Sequence, residues 1–126
     1  MALQTLAQTQ GKIGEDIACS FLLENGYTVV ARNYRVKGGE IDVIATKNSE
    51  LVFVEVKTRS SITYGYPEES VTRSKKIRLT RAARQYLIAY STLPSYRFDI
   101  IAIHMASNKA NPSVFHLENI LDDILL

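Results

Sequence analysis

The sequence has one cysteine, two histidines, three prolines and no long apolar run. A lone cysteine excludes an internal disulfide and offers no zinc-ligand spacing. Cys19 therefore reads as a small buried apolar residue on a helix, in a protein kept in a reducing compartment. His104 and His116 stand apart from each other and from Cys19, so neither has the spacing of a metal ligand. Met1, Ala2, Leu3, Gln4 and Thr5 lack the charged start and apolar block of a secretory signal. No apolar stretch approaches the roughly 20 residues of a membrane span. A cytoplasmic location with no membrane partner is the expectation. The chain also lacks internal repeats, low-complexity segments and linkers.

What is present fits one domain. The 126 residues, 46% of them hydrophobic, are enough to bury about two thirds of the unfolded surface. Residues 1–8 read as a flexible leader and 9–126 as a single domain. The net charge is only +2, but the charges are unevenly spread. Arg73, Lys75, Lys76, Arg78, Arg81 and Arg84 crowd one stretch with no acid among them, while Glu118, Asp122 and Asp123 mark the last segment. That asymmetry points toward a polyanionic partner.

Residue patterning predicts the order α-β-β-β-α-β-β. A helix from a Thr9 N-cap to Glu24 ends at Asn25-Gly26. Its buried stripe combines Ile13, Ile17 and Phe21 with Gly14, Ala18 and Leu22. Glu15 lies at the stripe's edge, either as a first-turn acid favoured by the helix dipole or turned toward the sheet, and Asp16 points to solvent. Strands follow over residues 27–36 and 39–57, with Arg35 and Lys37 either solvated or within reach of a phosphate. Residues 58–67 read as a loop in which Tyr64 and Tyr66, beside Arg59, either stack on bases or sugars or close over the core edge. A second helix begins at Glu69 or Ser70 and runs to Tyr90, packing through Val71, Ile77, Ala82, Tyr86, Leu87 and Ile88. Lys75, Arg78 and Arg81 recur every three residues along it, with Lys76 beside them. That row is either a solvated face or a phosphate-binding one; its purely basic character favours phosphate. Residues 97–103 form an apolar strand, buried on both faces and pairing in parallel after the helical crossover. Asp99 within it suits a structural partner for an arginine or a helix terminus better than a helper acid. Residues 113–117 make the last strand, and 120–126 an apolar, acidic tail. Lone strands separated by helices favour an α/β fold with a central mixed sheet covered on both faces.

Residues 39–57 carry the chemistry. If the strands turn at Asn48-Ser49, opposed residue numbers sum to 97, so Asp42 faces Glu55, Ile44 faces Phe53 and Glu40 faces Lys57. These six share one face, and Ile41, Val43, Ala45, Val52, Val54 and Val56 form the other. Opposed carboxylates about 5 Å apart repel by roughly 3 kcal/mol at an effective dielectric of about 20. A retained proton, an intervening lysine or a bridging hard cation would offset that. Asp42 and Glu55 suffice to hold Mg²⁺, Lys57 can orient water or stabilise an oxyanion, and Glu15 can add an outer contact or bind another metal. A register slip of one residue would put the two acids on opposite faces.

Glu15 on the first helix, then Asp42, then Glu55-Val56-Lys57 on the next strand, resembles the PD-(D/E)xK nuclease superfamily. The element order is similar to its archaeal Holliday junction resolvase branch. More closely, the chain resembles the YraN-like family of small bacterial endonuclease-like proteins. The resemblance rests on Gly11-x-x-Gly14-Glu15-x-x-Ala18, Gly39-Glu40-Ile41-Asp42, Phe53 to Arg59, Gly65-x-Pro67 and Arg97-Phe98-Asp99, and covers roughly residues 9–103. Two positions depart from common patterns: Ile41 precedes Asp42 in place of proline, and Gln85 is followed four residues later by Ala89 rather than the exonuclease branch's tyrosine.

The resemblance implies a restriction-endonuclease-like three-layer fold. It gives the catalytic role to Glu15, Asp42, Glu55 and Lys57, and metal binding to Glu15, Asp42 and Glu55, with Mg²⁺ or Mn²⁺ as cofactor. The expected substrate is DNA, including branched or junction DNA, held by Arg59, Lys75, Lys76, Arg78 and Arg81. Junction cleavage would need two active sites, hence a homodimer. The alternatives are a DNA-binding module that keeps the fold without cutting, and a structural protein whose Asp42, Glu55 and Lys57 form a buried ion network.

Overall fold

The first helix, α1, spans Leu6–Glu24. Leu6, Ala7 and Gln8 are good helix formers, and they extend it past the expected Thr9 cap, so residues 6–8 are helix rather than leader. The computed structural model describes residues 6–59, 71–105 and 111–120, without the side chains of 6–8 and 10. The helix stops where expected. Gly26 adopts φ +86°, and the Tyr27 N–H donates to the Leu22 carbonyl at 3.0 Å, which satisfies one of the carbonyls a helix end leaves open.

Strands β1 (Thr28–Val36), β2 (Gly39–Lys47) and β3 (Glu50–Arg59) follow as a meander. Helix α2 (Arg73–Tyr90) crosses over to β4 (Ser95–His104), and β5 (Ser113–Leu117) closes the edge. The five strands lie in the sheet in chain order. Every pairing is antiparallel except β3 with β4, which is parallel as expected after a helical crossover. The expected start of α2 at Glu69 or Ser70 lies outside the described residues, as do Tyr64, Tyr66, Pro67 and the tail from residue 121. The described helix opens at Arg73, with the Thr72 side chain capping the Lys75 N–H at 3.2 Å.

The β2–β3 turn is Asn48-Ser49, both with positive φ (53° and 62°), the conformation that a two-residue hairpin with the right twist requires. It sets the expected register, Ile44 opposite Phe53 and Val43 opposite Val54.

Each sheet face has its own core. Ala18, Cys19 and Leu22 of α1 pack on Val43, Ala45, Val52, Val54, Ile101 and Ile103. Leu79, Ala82 and Ala83 of α2 pack on Ile41, Ile44, Leu51, Phe53, Phe98 and Ile100. The result is three layers, with helices on both faces of a mixed sheet. Some expected packing positions move. On α1 the small residues take the buried row, and Ile13 is exposed while Ile17 and Phe21 are only partly buried. On α2, Ile77 and Ile88 are exposed, because Leu79, Ala82 and Ala83 already fill the sheet-facing phase. Ile41 also leaves the face expected for it, joining the α2-side core while Val43 stays on the α1 side. No described helix is long and apolar enough to cross a membrane.

Candidate active site

The displacement of Ile41 marks the place where the hairpin opens. Strands β2 and β3 pair from the turn as far as Val43 and Val54. Beyond that point β2 continues alongside β1, and β3 alongside β4. The parting would leave the Val56 N–H without a β2 carbonyl. The Asp42 carboxylate fills that role, accepting from Val56 N at 2.9 Å. On the other side of β2, the register flanks Asp42 with Arg32–Val43 and Tyr34–Ile41, so Asn33 stands opposite it. Asn33 adopts φ 50°, a left-handed conformation that asparagine tolerates better than most residues. Residues on either side of the Asn33–Asp42 step therefore face opposite cores.

Asp42 and Glu55 remain neighbours although they are not ladder partners. Asp42 is pushed up to about 7, mainly by burial and then by the Glu55 charge, against the pull of the Val56 N–H and Lys75. Glu55 is only 3% exposed. Its Oε1 receives the Lys75 ammonium at 2.6 Å and the Lys57 ammonium at 3.6 Å. Its Oε2 is buried and has no amide, hydroxyl or ammonium donor among the described residues, although Asp42, while it keeps its proton, can hydrogen-bond to Glu55. Burial and the nearby Lys75 charge hold Lys57 below the usual lysine range, opposed by Glu55 and Asp42. For Lys75 burial works the same way, but the bond to Glu55 and the charges of Glu55 and Asp42 outweigh it and raise its pKa.

Glu15 approaches from α1. Burial raises its pKa, with the Asp42 and Asp16 charges adding to the effect, while a side-chain bond to Asn33 and the Arg32 charge oppose it. Arg32 lies 3.9 Å from Glu15 and 2.7 Å from Asp16. Asp16 is exposed as expected, but ion-paired. Gly14 lets α1 come this close, since a Cβ there would fall on the Thr58 hydroxyl of β3. Gly39 serves the same purpose for α2, whose backbone at Arg78 and Ala82 lies against it.

Some expected site residues stand elsewhere. Glu40 does not meet Lys57, because the strands have already parted; it pairs instead with Arg35 at 3.8 Å and Arg78 at 3.5 Å. Of the basic row, Lys75 turns inward to Glu55, while Arg78 binds Glu40 and Arg81 lies over Gly38. Lys76 is half-buried near the start of α2. Arg59 ends β3 with a buried Nε that has no acceptor among the described residues. Asp99 is fully buried away from the site, bonded to Arg97 at 3.0 and 3.2 Å, to His116 at 2.7 Å and to the Asn119 N–H at 2.9 Å. It is the structural partner of an arginine, as expected. Sequence reasoning did not assign Asn33 to the site, and it placed Lys75 on the DNA-binding row rather than against Glu55. The only signal for Asn33 was its residue type, and for the inward turn of Lys75 there was none.

The residues suit a hard divalent cation. Asp42 and Glu55 are acid neighbours, and Glu55 Oε2 is a buried acceptor with no amide, hydroxyl or ammonium donor among the described residues. Among the described residues no three carboxylate, imidazole or thiolate groups converge on one point, but Mg²⁺ needs only one or two carboxylates and keeps several waters. Glu15 lies near enough for the Asp42 charge to raise its pKa.

A mixed five-stranded sheet between two helices, with Asp42 and Glu55-Val56-Lys57 where its central hairpin opens, defines a restriction-endonuclease-like α/β protein. Residues 14–103 match the model of the uncharacterised protein family UPF0102, and the chain belongs to that family. The match spans Glu15, Asp42, Glu55, Lys57 and Lys75. A UPF0102 protein of Chlorobium phaeobacteroides strain BS1 is 48% identical over 113 residues, covering 87% of this chain and 89% of the relative. One from Persephonella marina is 40% identical, covering 90% and 93%, and one from Moorella thermoacetica is 46% identical, covering 75% and 79%.

Proposed function

We propose that the protein is a metal-dependent endonuclease that hydrolyses phosphodiester bonds in DNA, including branched DNA. The observation that carries this reading is the buried Glu55 Oε2, with no amide, hydroxyl or ammonium donor among the described residues, beside an Asp42 carboxylate whose ionisation is suppressed by burial and by Glu55. In this reading Asp42 and Glu55 hold Mg²⁺ or Mn²⁺. Such a cation, when bound, acidifies water and polarises a phosphoryl oxygen. Asp42 uses one oxygen to bridge the strands through Val56, which fixes the carboxylate's direction. Lys57 projects from β3 beside Glu55, where its ammonium can orient the attacking water and stabilise charge developing on the phosphate. Glu15 lies within reach of the Asp42 charge across the α1 interface. Arg59, Lys76, Arg78 and Arg81 supply cations for the DNA backbone, and two copies acting together would suit a junction.

Supercoiled, linear and four-way-junction DNA, incubated with Mg²⁺ or Mn²⁺, test this directly. Cleavage by the wild type that disappears in Asp42→Ala and Lys57→Ala supports it, and cleavage that persists in both variants refutes it. The Lys75–Glu55 bond favours a second reading, a DNA-binding module whose acids are neutralised by lysines. Metal-dependent DNA binding without cutting would select that one.

A further inference from the structure

The proposed metal site contains a cation of the protein's own. Lys75 lies in the first turn of α2, next to the Thr72 cap. Its ammonium sits 2.6 Å from Glu55 Oε1, closer than Lys57 at 3.6 Å. Thus the strongest donor on the key carboxylate comes from a helix on a different layer, not from the motif lysine. A buried carboxylate needs such a partner, since leaving it unpaired is costly. A divalent ion on Oε2 of the same carboxylate would sit close to that ammonium, and two cations that close would repel each other strongly. The Lys75 stem is flexible and its side chain is 30% exposed, so its ammonium has an outward path toward solvent.

We propose that Lys75 is a positioning residue that holds Glu55 in place and competes with a divalent cation for it. This rests on the metal-dependent reading above. It assigns Lys75 a role distinct from a uniform basic helix face: it sets metal affinity, whereas Arg84, exposed further along α2, does not.

Calorimetric titration of Mn²⁺ into the full chain separates the outcomes, using wild type, Lys75→Met, Lys75→Arg and Arg84→Met. Removing the competing ammonium should tighten Mn²⁺ binding by about tenfold or more, the low end of what a charge-assisted hydrogen bond contributes. Lys75→Arg, which keeps the cation, should stay within about twofold of wild type, and so should Arg84→Met, which removes a charge further along α2. Thermal unfolding gives a second readout. Lys75→Met should melt below wild type without Mn²⁺ and gain more from millimolar Mn²⁺, because ligand binding adds stability according to its affinity. Equal or weaker Mn²⁺ binding by Lys75→Met, with wild type binding normally, overturns the Lys75 proposal and leaves the metal reading intact. Mn²⁺ binding by neither protein overturns both. Tightening of equal size in Arg84→Met also overturns the Lys75 proposal, since bulk charge would then explain it.

Discussion

Asp42 does two tasks with one side chain: it replaces a ladder carbonyl for Val56 and forms a buried acid pair with Glu55. Its ionisation has a consequence for stability. Unfolded, it releases its proton near 3.8; folded, burial and Glu55 keep the proton on until about 7. Between those values the folded state binds the extra proton, so stability falls as pH rises through the window, by on the order of a few kcal/mol. Asp42→Asn keeps an acceptor for Val56 but cannot ionise. Urea unfolding between about pH 4 and pH 8 should show a flatter slope for this variant, and higher stability than wild type at the alkaline end. A slope identical to wild type would mean that Asp42 is not the titrating group. Glu15 shifts in the same direction and leaves some slope behind. Asp99 works the other way. Burial opposes its charge, but the bonds from His116, Arg97 and Asn119 win and lower its pKa, so its stabilisation is lost as pH falls through the folded value. Asp99→Asn should cost about 1–3 kcal/mol, because it weakens the charge-assisted bonds from Arg97 and His116 while Arg97 keeps Glu50 at 2.6 Å, measured by denaturant titration at neutral pH.

Among elements, the hairpin was the most legible in the sequence and the opening of the hairpin the least. Asn48-Ser49 between two alternating strands fixed the register by turn chemistry alone, and that register brought Asp42 near Glu55. Alternation then predicted that Ile41 would share a face with Val43. It does not, because the Asn33–Asp42 step reverses both strands, and nothing local distinguishes that asparagine from one in a turn. Helix α2 was legible as basic and amphipathic, but its phase was not, because Ile77 and Ile88 looked as suitable for burial as Leu79. The inward turn of Lys75 and the pairing of His116 with Asp99 depend on tertiary approach, which no spacing encodes. Two element-scale expectations follow. Gly14→Ala should destabilise the protein by about 1–3 kcal/mol through overpacking on Thr58; adding Thr58→Ala should recover most of that loss, and a lack of coupling in the double-mutant cycle would separate the two positions. On α2, neutralising Lys76, Arg78 and Arg81 should lower the salt slope of DNA binding by roughly one for each phosphate contact removed, read from affinities at several salt concentrations.

Across the whole molecule, polar chemistry is divided between the two faces of the parallel strand pair. Glu50, Arg97 and Asp99 gather on the α1 side, on the same face as Val52 and Val54. Glu55 and Lys57 share the α2-side face with Phe53, where Lys75 reaches Glu55, although the register sets Asp99 only one step from Glu55. One cluster is saturated with partners, while the other keeps an oxygen without an amide, hydroxyl or ammonium donor among the described residues. Under the proposed function the first serves stability and the second a ligand, so damage to the Asp99 cluster should lower the melting temperature with little effect on Mn²⁺ affinity.

The chain-order sheet also orders events in time. Asn33, Asp42, Glu55 and Lys57 belong to three consecutive strands joined by two-residue turns. Their contacts close short loops, which cost little entropy and form within microseconds. The parallel β3–β4 pairing must wait for the α2 crossover, and Lys75 arrives with it. Conservative substitutions at Val43 and Val54 are therefore expected to give higher φ-values than those at Ile101 and Ile103. The acid pair would be assembled first, and its neutralising lysine would come with the rest of the fold.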